Sequence, residues 1–186
     1  MESADAELVC VTWRPVDAPA ASHILWDRHV GDHRNVYEQI LAGIGAAAKP
    51  VIALAEHDVL YPPGYFEALA DAAGDGVCYN TNLWRLNAHG FFRTANTHLL
   101  SNCGGARGLL ARRIRAKLGE ARRRGIPDWA EPRGDAEFRA PHPTVDIRHG
   151  TNFTGGRNAP NGRYRQSIDY WGECRDLRSS AFVCGP

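Results

Sequence analysis

The stretch that most constrains this chain is residues 51–63, Val-Ile-Ala-Leu-Ala-Glu-His-Asp-Val-Leu-Tyr-Pro-Pro. Residues 51–55 form a continuous apolar run of strand length with two β-branched side chains, the pattern of a strand buried on both faces. The run ends in Glu56-His57-Asp58. Polar groups directly after a buried strand occupy the carboxyl edge, where open α/β sheets take their ligands. Tyr61 and the Pro62-Pro63 pair stop the extended segment, and Pro63 and Gly64 open a helix with Tyr65, Phe66, Leu69 and Ala73 inward. Glu56 and Asp58, two apart on an extended segment, point to the same side. Such a pair either holds a hard divalent cation, which can clamp a diphosphate, or forms a capped acidic turn. Spacing alone does not separate the two readings.

The flanking pattern argues for an α/β chain. Residues 7–13 read as a first strand ending at Thr12, Trp13 and Arg14, and a short second strand is expected at 24–26. From Asn35, Val36, Tyr37, Ile40, Leu41 and Ile44 recur with helical spacing until Pro50 closes the segment. Residues 77–79 read as a short strand, and 83–86 and 91–93 as a hairpin about Asn87-Ala88-His89-Gly90. Residues 101–108, Ser-Asn-Cys-Gly-Gly-Ala-Arg-Gly, read as a small-residue loop leading into a helix over 107–124, which Gly125 and Pro127 end. Residues 144–150 read as a strand with a polar end. Residues 150–170 lack apolar periodicity and read as a lid or surface loop, after which Tyr170, Trp171, Leu177, Phe182 and Val183 turn the chain back onto the body.

Totals narrow the function classes. With 186 residues and 44% hydrophobic content, one domain over 1–186 has enough apolar surface for a core. No apolar run approaches membrane-spanning length and the first residues are acidic and polar, so a cytoplasmic protein without a membrane anchor is expected. The five cysteines are odd in number and widely spaced, without a Cys-x-x-Cys, which argues for reduced thiols. Net charge is +1, so any nucleic-acid contact must come from a local patch. The helix over 107–124 offers one, with eight cations, among them Arg112, Arg113 and Lys117, against the single acid Glu120. This face reads equally as a solvated surface or as a polyanion contact.

An apolar strand running into Glu56-His57-Asp58-Val59-Leu60-Tyr61-Pro62 resembles the metal-binding signature of GT-A-type, family-2-like glycosyltransferases, in which a Glu-x-Asp form accompanies the commoner Asp-x-Asp. The resemblance spans roughly residues 7–150 through short motifs. It implies a GT-A fold with a mainly parallel central sheet, flanking helices and an antiparallel hairpin region. It implies Mn²⁺ or Mg²⁺ held by Asp58, supported by Glu56 and by His149 from the late strand. The implied donor is a sugar nucleotide, UDP-sugar foremost, bordered by Thr12, Arg14, Gly104, Gly105 and the lid residue Arg157. The implied acceptor base is Glu131 or Asp128, with Glu131 preferred because Trp129 and two prolines would hold it in a partly dry site.

The chain is also similar to small bacteriophage glycosyltransferases, some of which decorate hydroxymethylated pyrimidines in DNA. That likeness implies such a base as acceptor and the host cytoplasm as location. The 107–124 face would then meet the phosphate backbone, and Trp84 or Trp129 would stack on a flipped base. A carbohydrate acceptor, a nucleotidyltransferase and a non-catalytic nucleic-acid-binding module are the alternatives. Product analysis separates sugar transfer, which releases free nucleoside diphosphate, from nucleotidyl transfer, which releases pyrophosphate, and salt-sensitive DNA binding unaffected by Asp58→Ala marks the binding module.

Overall fold

The computed structural model describes residues 6–17, 19–20, 22–28, 33–93, 98–124, 131–147 and 163–181. The elements in chain order are β1 (Val9–Thr12), β2 (Ser22–Leu25), α1 (His33–Ala46), β3 (Val51–Ala53), β4 (Val59–Leu60), α2 (Tyr65–Ala73), β5 (Val77–Asn80), β6 (Leu83–Asn87) and β7 (Gly90–Phe92). A single 3-10 turn (Leu100–Asn102) leads into β8 (Cys103–Ala106), followed by α3 (Arg107–Arg124), β9 (Ala136–Phe138), β10 (Thr144–Ile147), β11 (Ser167–Ile168), β12 (Gly172–Glu173) and α4 (Cys174–Ala181).

Two four-stranded sheets organise the chain, with orders β3-β8-β5-β9 and β4-β10-β6-β7. In the first, β8 runs antiparallel to both β3 and β5, while β9 is parallel to β5. In the second, β10 is parallel to β6 and antiparallel to β4, and β6-β7 is a hairpin. Parallel β1-β2 and antiparallel β11-β12 are separate two-stranded pieces. The architecture is thus mixed α/β, and the expectation of a mainly parallel sheet is corrected. The physical cause lies in Gly104 and Gly105, which form the buried strand β8 rather than a loop. A Cβ on Gly104 would come 2.9 Å from the Leu69 side chain, and one on Gly105 would come 2.5 Å from the Gly76 carbonyl oxygen. Glycine here lets α2 and the β5 backbone close onto β8, a use that composition does not distinguish from a turn.

Strand alternation sorts the core. Val77 and Tyr79 face α1 and α3, joining Tyr37, Ile44, Leu110, Ile114 and Leu118. Cys78 faces the other way, toward Tyr65, Leu69 and Ala73 of α2. Leu69 is fully buried, worth roughly 1.5–3 kcal/mol by apolar transfer. The second sheet carries its own cluster of Trp84, Leu86, Phe91 and Val145 beneath Ile168, Trp171, Cys174 and Leu177.

Helices α1, α2 and α3 and the 83–93 hairpin stand where the sequence places them. Phe66 and Val36, expected inward, are exposed, and so is Tyr170. Phe66 instead lays its ring 4.9 Å from Tyr61. Phe182 and Val183 lie outside the described residues. Cys10, Cys78, Cys103 and Cys174 are free thiols. Among the described residues no helix is long and apolar enough to cross a membrane.

Candidate functional site

The acidic segment occupies the place where the chain changes sheets. It leaves β3 at Ala53 and joins the second sheet at Val59. The connections from β5 to β6 and from β9 to β10 make the same passage. Strands β3, β5 and β9 run in one direction, so all three crossings leave the first sheet at one edge. Val59-Leu60, between the acidic tip and the prolines, is strand β4, paired with Asp146 and Val145. The Ile147 N–H donates to the Asp58 carbonyl at 2.8 Å and fixes the end of β10 beside the acidic tip.

Tyr61 locks this tip. Its hydroxyl donates to the Ser101 carbonyl at 2.9 Å and accepts from the Glu56 N–H at 3.1 Å. Burial raises the phenol above its ordinary range, and the carboxylates of Glu56, Asp58 and Asp146 add to the rise, so three acids converge on one hydroxyl. Asp146 is itself engaged, with Arg85 Nε 3.5 Å from Oδ2 and both residues buried. Deleting one partner of such a pair costs on the order of 3–5 kcal/mol. A sequence signal existed for it: each residue is a lone charge third in an otherwise strand-like run, Leu-Trp-Arg-Leu and Thr-Val-Asp-Ile.

Glu131 belongs to the same region. Burial, with the nearby Glu56 carboxylate adding and Lys117 opposing, pushes its carboxyl up to about 8. Burial raises the proton affinity of Tyr79 and Cys103, and the Glu131 carboxylate adds to both, while the Tyr79 hydroxyl donates to the Pro132 carbonyl at 2.6 Å, anchoring the segment. His98 stacks on Tyr79 at 4.5 Å between ring centroids and sets Nε2 2.5 Å from Glu137 Oε1. This imidazole–carboxylate pair was not singled out in the sequence, because His98 and Glu137 are far apart in it and follow no motif.

Beneath the crossings lies a buried amide and hydroxyl network. Asn102 Oδ1 accepts from Thr144 Oγ1 at 2.7 Å, Tyr65 Oη at 3.2 Å and Asn80 Nδ2 at 3.2 Å. Asn80 Oδ1 accepts the N–H groups of Asn82 and Ala140, and Asn82 Nδ2 donates to the Ala140 carbonyl. These bonds join the 3-10 turn, β5 and β10, and so hold the two sheets in register.

Other sequence candidates fall elsewhere. Thr12 ends β1 and borders an open hollow with Pro15, Val16, His23 and Leu25, and its hydroxyl donates to the Arg14 carbonyl at 2.7 Å. The Arg14 side chain is exposed. Gly104 and Gly105 are buried between α2 and β5, where packing accounts for them. Trp84 is buried in the second cluster, with the guanidinium of Arg93 4.5 Å and that of Arg165 5.3 Å from its ring centroid, so its faces are not open to a stacking base.

On α3, four cations bond within the molecule. Arg107 donates to the Ala47 carbonyl, Arg113 meets Asp135 at 2.6 Å, Lys117 meets Glu120 at 3.2 Å and Arg122 meets Glu38 at 2.6 Å. Arg112 projects outward from the same helix. The sequence could not show that much of this basic run fastens α3 to α1 and to the β9 approach. Asp128, Trp129, His149 and Arg157 lie outside the described residues.

Glu56 and Asp58 carry carboxylate oxygens, the donor type a hard divalent cation takes. In donor type the pair fits Mn²⁺ or Mg²⁺. Among the described residues no group of three or more His, Cys, Asp or Glu gathers as a metal site. What the site defines is therefore an acidic crossing in a mixed α/β protein, with one proton-holding carboxyl beside it. Comparison of the chain with protein-family models, with curated proteins and with solved structures gave no match.

Proposed function

We propose that this protein is a GT-A-type glycosyltransferase that moves a sugar from a nucleotide-diphosphate sugar to an acceptor hydroxyl, a hydroxymethylated pyrimidine base of DNA being the acceptor favoured. The observation that carries the reading is Glu131, a carboxyl with its proton affinity raised to about 8 by burial and by the Glu56 tip. A base of that strength suits removal of a hydroxyl proton near neutral pH. Glu131 takes the acceptor O–H proton as that oxygen bonds to the sugar carbon. The bond from this carbon to the diphosphate oxygen breaks, and its electron pair leaves with the nucleoside diphosphate. Asp58 and Glu56 would hold Mn²⁺ or Mg²⁺, which supplies neutralisation of charge on the leaving diphosphate. Thr12 and the hollow beside β1 are assigned to the nucleoside. His149 follows Ile147 by two positions, and Ile147 is bonded at Asp58, which supports its assignment as a further ligand.

The test is metal-dependent turnover of labelled sugar nucleotides. Release of free nucleoside diphosphate is expected, and Asp58→Ala and His149→Ala should each lose Mn²⁺-dependent donor hydrolysis by at least about 100-fold while melting like wild type. Pyrophosphate as product, or full metal-dependent turnover in Asp58→Ala, would refute the assignment.

A further inference from the structure

Two arginines from separate parts of the chain, Arg93 and Arg165, meet over Trp84 of the second sheet, and the charge of a third, Arg139, bears on Arg93. Arg93 follows β7, Arg139 follows β9, and Arg165 forms an antiparallel bridge with Phe91. The bridge is fixed by both main-chain bonds, Phe91 N–H to the Arg165 carbonyl at 2.9 Å and Arg165 N–H to the Phe91 carbonyl at 2.8 Å. Gly90 brings the hairpin against this segment: at φ +132° it leaves no room for a side chain, since a Cβ would come 2.7 Å from the Arg165 carbonyl oxygen.

Arg93 and Arg165 both lie on the Trp84 ring, so their guanidinium carbons are within about 10 Å of each other. Arg93 also donates to Asn82 Oδ1 at 3.4 Å, which ties it to the buried amide network at the crossings. Desolvation lowers the proton affinity of Arg93, and the charges of Arg139 and Arg165 lower it further. No ion pair to an acid is formed by these three among the described residues. Two guanidiniums stacked on one ring, with a third like charge bearing on them, are poised for an external anion.

The neighbouring hairpin adds an aromatic. Tyr170 sits at the tip of β11-β12, five residues beyond Arg165, at most about 17 Å of extended chain away. Its φ is +74°, the single positive value for a non-glycine among the described residues. Its ring is 49% exposed and stacks on His142 at 4.4 Å. Trp171 meets the ring edge-on at 4.9 Å, and about half of the residue stays in water, so the aromatic is held in place and still accessible to a base. All three arginines are exposed, an open track rather than an enclosing cavity. Open cations beside an exposed aromatic suit a chain of phosphates and unstacked bases better than a small anion, which needs encirclement.

We propose that Arg93 and Arg165, held over Trp84, together with Arg139 and Tyr170, form a docking track for single-stranded nucleic acid. The choice of polymer deepens the acceptor reading above and rests on it. Binding is measured without donor or metal, so it fails or succeeds independently of sugar transfer.

The experiment is fluorescence anisotropy of a labelled thymidine oligonucleotide of about 12 nucleotides across a salt series. Arg93→Ala/Arg165→Ala should weaken binding at least about tenfold and lower the salt slope by about 1.4. Arg139→Glu, a change at an exposed position, should weaken binding in the same direction if the double variant does not fold. Tyr170→Gly, which tolerates the positive φ, should keep the melting point and weaken binding roughly 5-fold or more without changing the salt slope. Unchanged affinity in Arg139→Glu and in the double variant would overturn the track. So would equal binding of a duplex with no effect of Tyr170→Gly, or displacement of the oligonucleotide by pyrophosphate at equal phosphate concentration. Loss of donor hydrolysis in these variants, with binding intact, would instead count against the track and leave the sugar-transfer reading standing.

Discussion

Replacing Glu131 by glutamine removes one titration and little else, and its effect on stability is calculable. Burial beside Glu56 moves the Glu131 carboxyl from 4.5 to about 8. An acid whose folded value lies above its unfolded one binds its proton more tightly when folded. It therefore supports the fold fully below about pH 4.5, and that support is lost as pH rises to about 8. At about 1.4 kcal/mol per pH unit of displacement the loss is about 5 kcal/mol, an upper value for a half-buried side chain that water still reaches, so roughly 2–4 kcal/mol is expected. Glutamine imitates the neutral acid and escapes the loss. Wild type and Glu131→Gln should therefore melt alike near about pH 5, and near about pH 9 the variant should be the more stable, by roughly 5–15 °C for a chain of this size. Thermal denaturation followed by circular dichroism across that range is the assay. Parallel melting curves for the two proteins at all pH values would show that Glu131 titrates normally, and the argument for its role as a base would fall with it.

Two further outcomes concern the crossings and the strand beneath them. Asn102→Ala strips the acceptor from Tyr65 Oη, Asn80 Nδ2 and Thr144 Oγ1, all buried, and should cost about 3 kcal/mol or more in urea denaturation; a loss under about 1 kcal/mol would mean the network is not holding the sheets. Gly105→Ala drives a methyl to 2.5 Å from the Gly76 carbonyl oxygen and should destabilise by roughly 1–3 kcal/mol, whereas Gly108→Ala, with nothing within 4 Å, should not destabilise; equal effects in thermal melts would contradict the packing account.

Legibility in the sequence followed how local each signal was. Helices α1, α2 and α3 and the 83–93 hairpin were readable because periodicity, prolines and a turn sequence mark them within a few residues. Strand β8 was not, because Cys-Gly-Gly-Ala has no strand propensity and is extended only because α2 and β5 press on it. β4 was hidden for a related reason: two residues become a strand only when β10 arrives from far along the chain. In the candidate site, Glu56, Asp58 and Glu131 were legible as acids next to structural punctuation. Asn102 and His98–Glu137 were not, since their partners are joined only by the tertiary fold, and Arg85 and Asp146 showed as lone charges in strand-like runs but not as a pair. The basic run of α3 was visible as charge, but its bonds to Ala47, Asp135 and Glu38 depend on neighbours that no helical spacing encodes.

The segment bearing Glu56 and Asp58 is anchored at its two ends to different bodies, β3 in one sheet and β4 in the other. Its five-residue span between those anchors acts as a strain gauge. Sliding of one layer past the other is shared among the three crossings, and at this one it would change the gap between the carboxylates. Leu60, two residues from Asp58, packs against the cluster under α4, so a cavity opened in that cluster would reach the acids through β4.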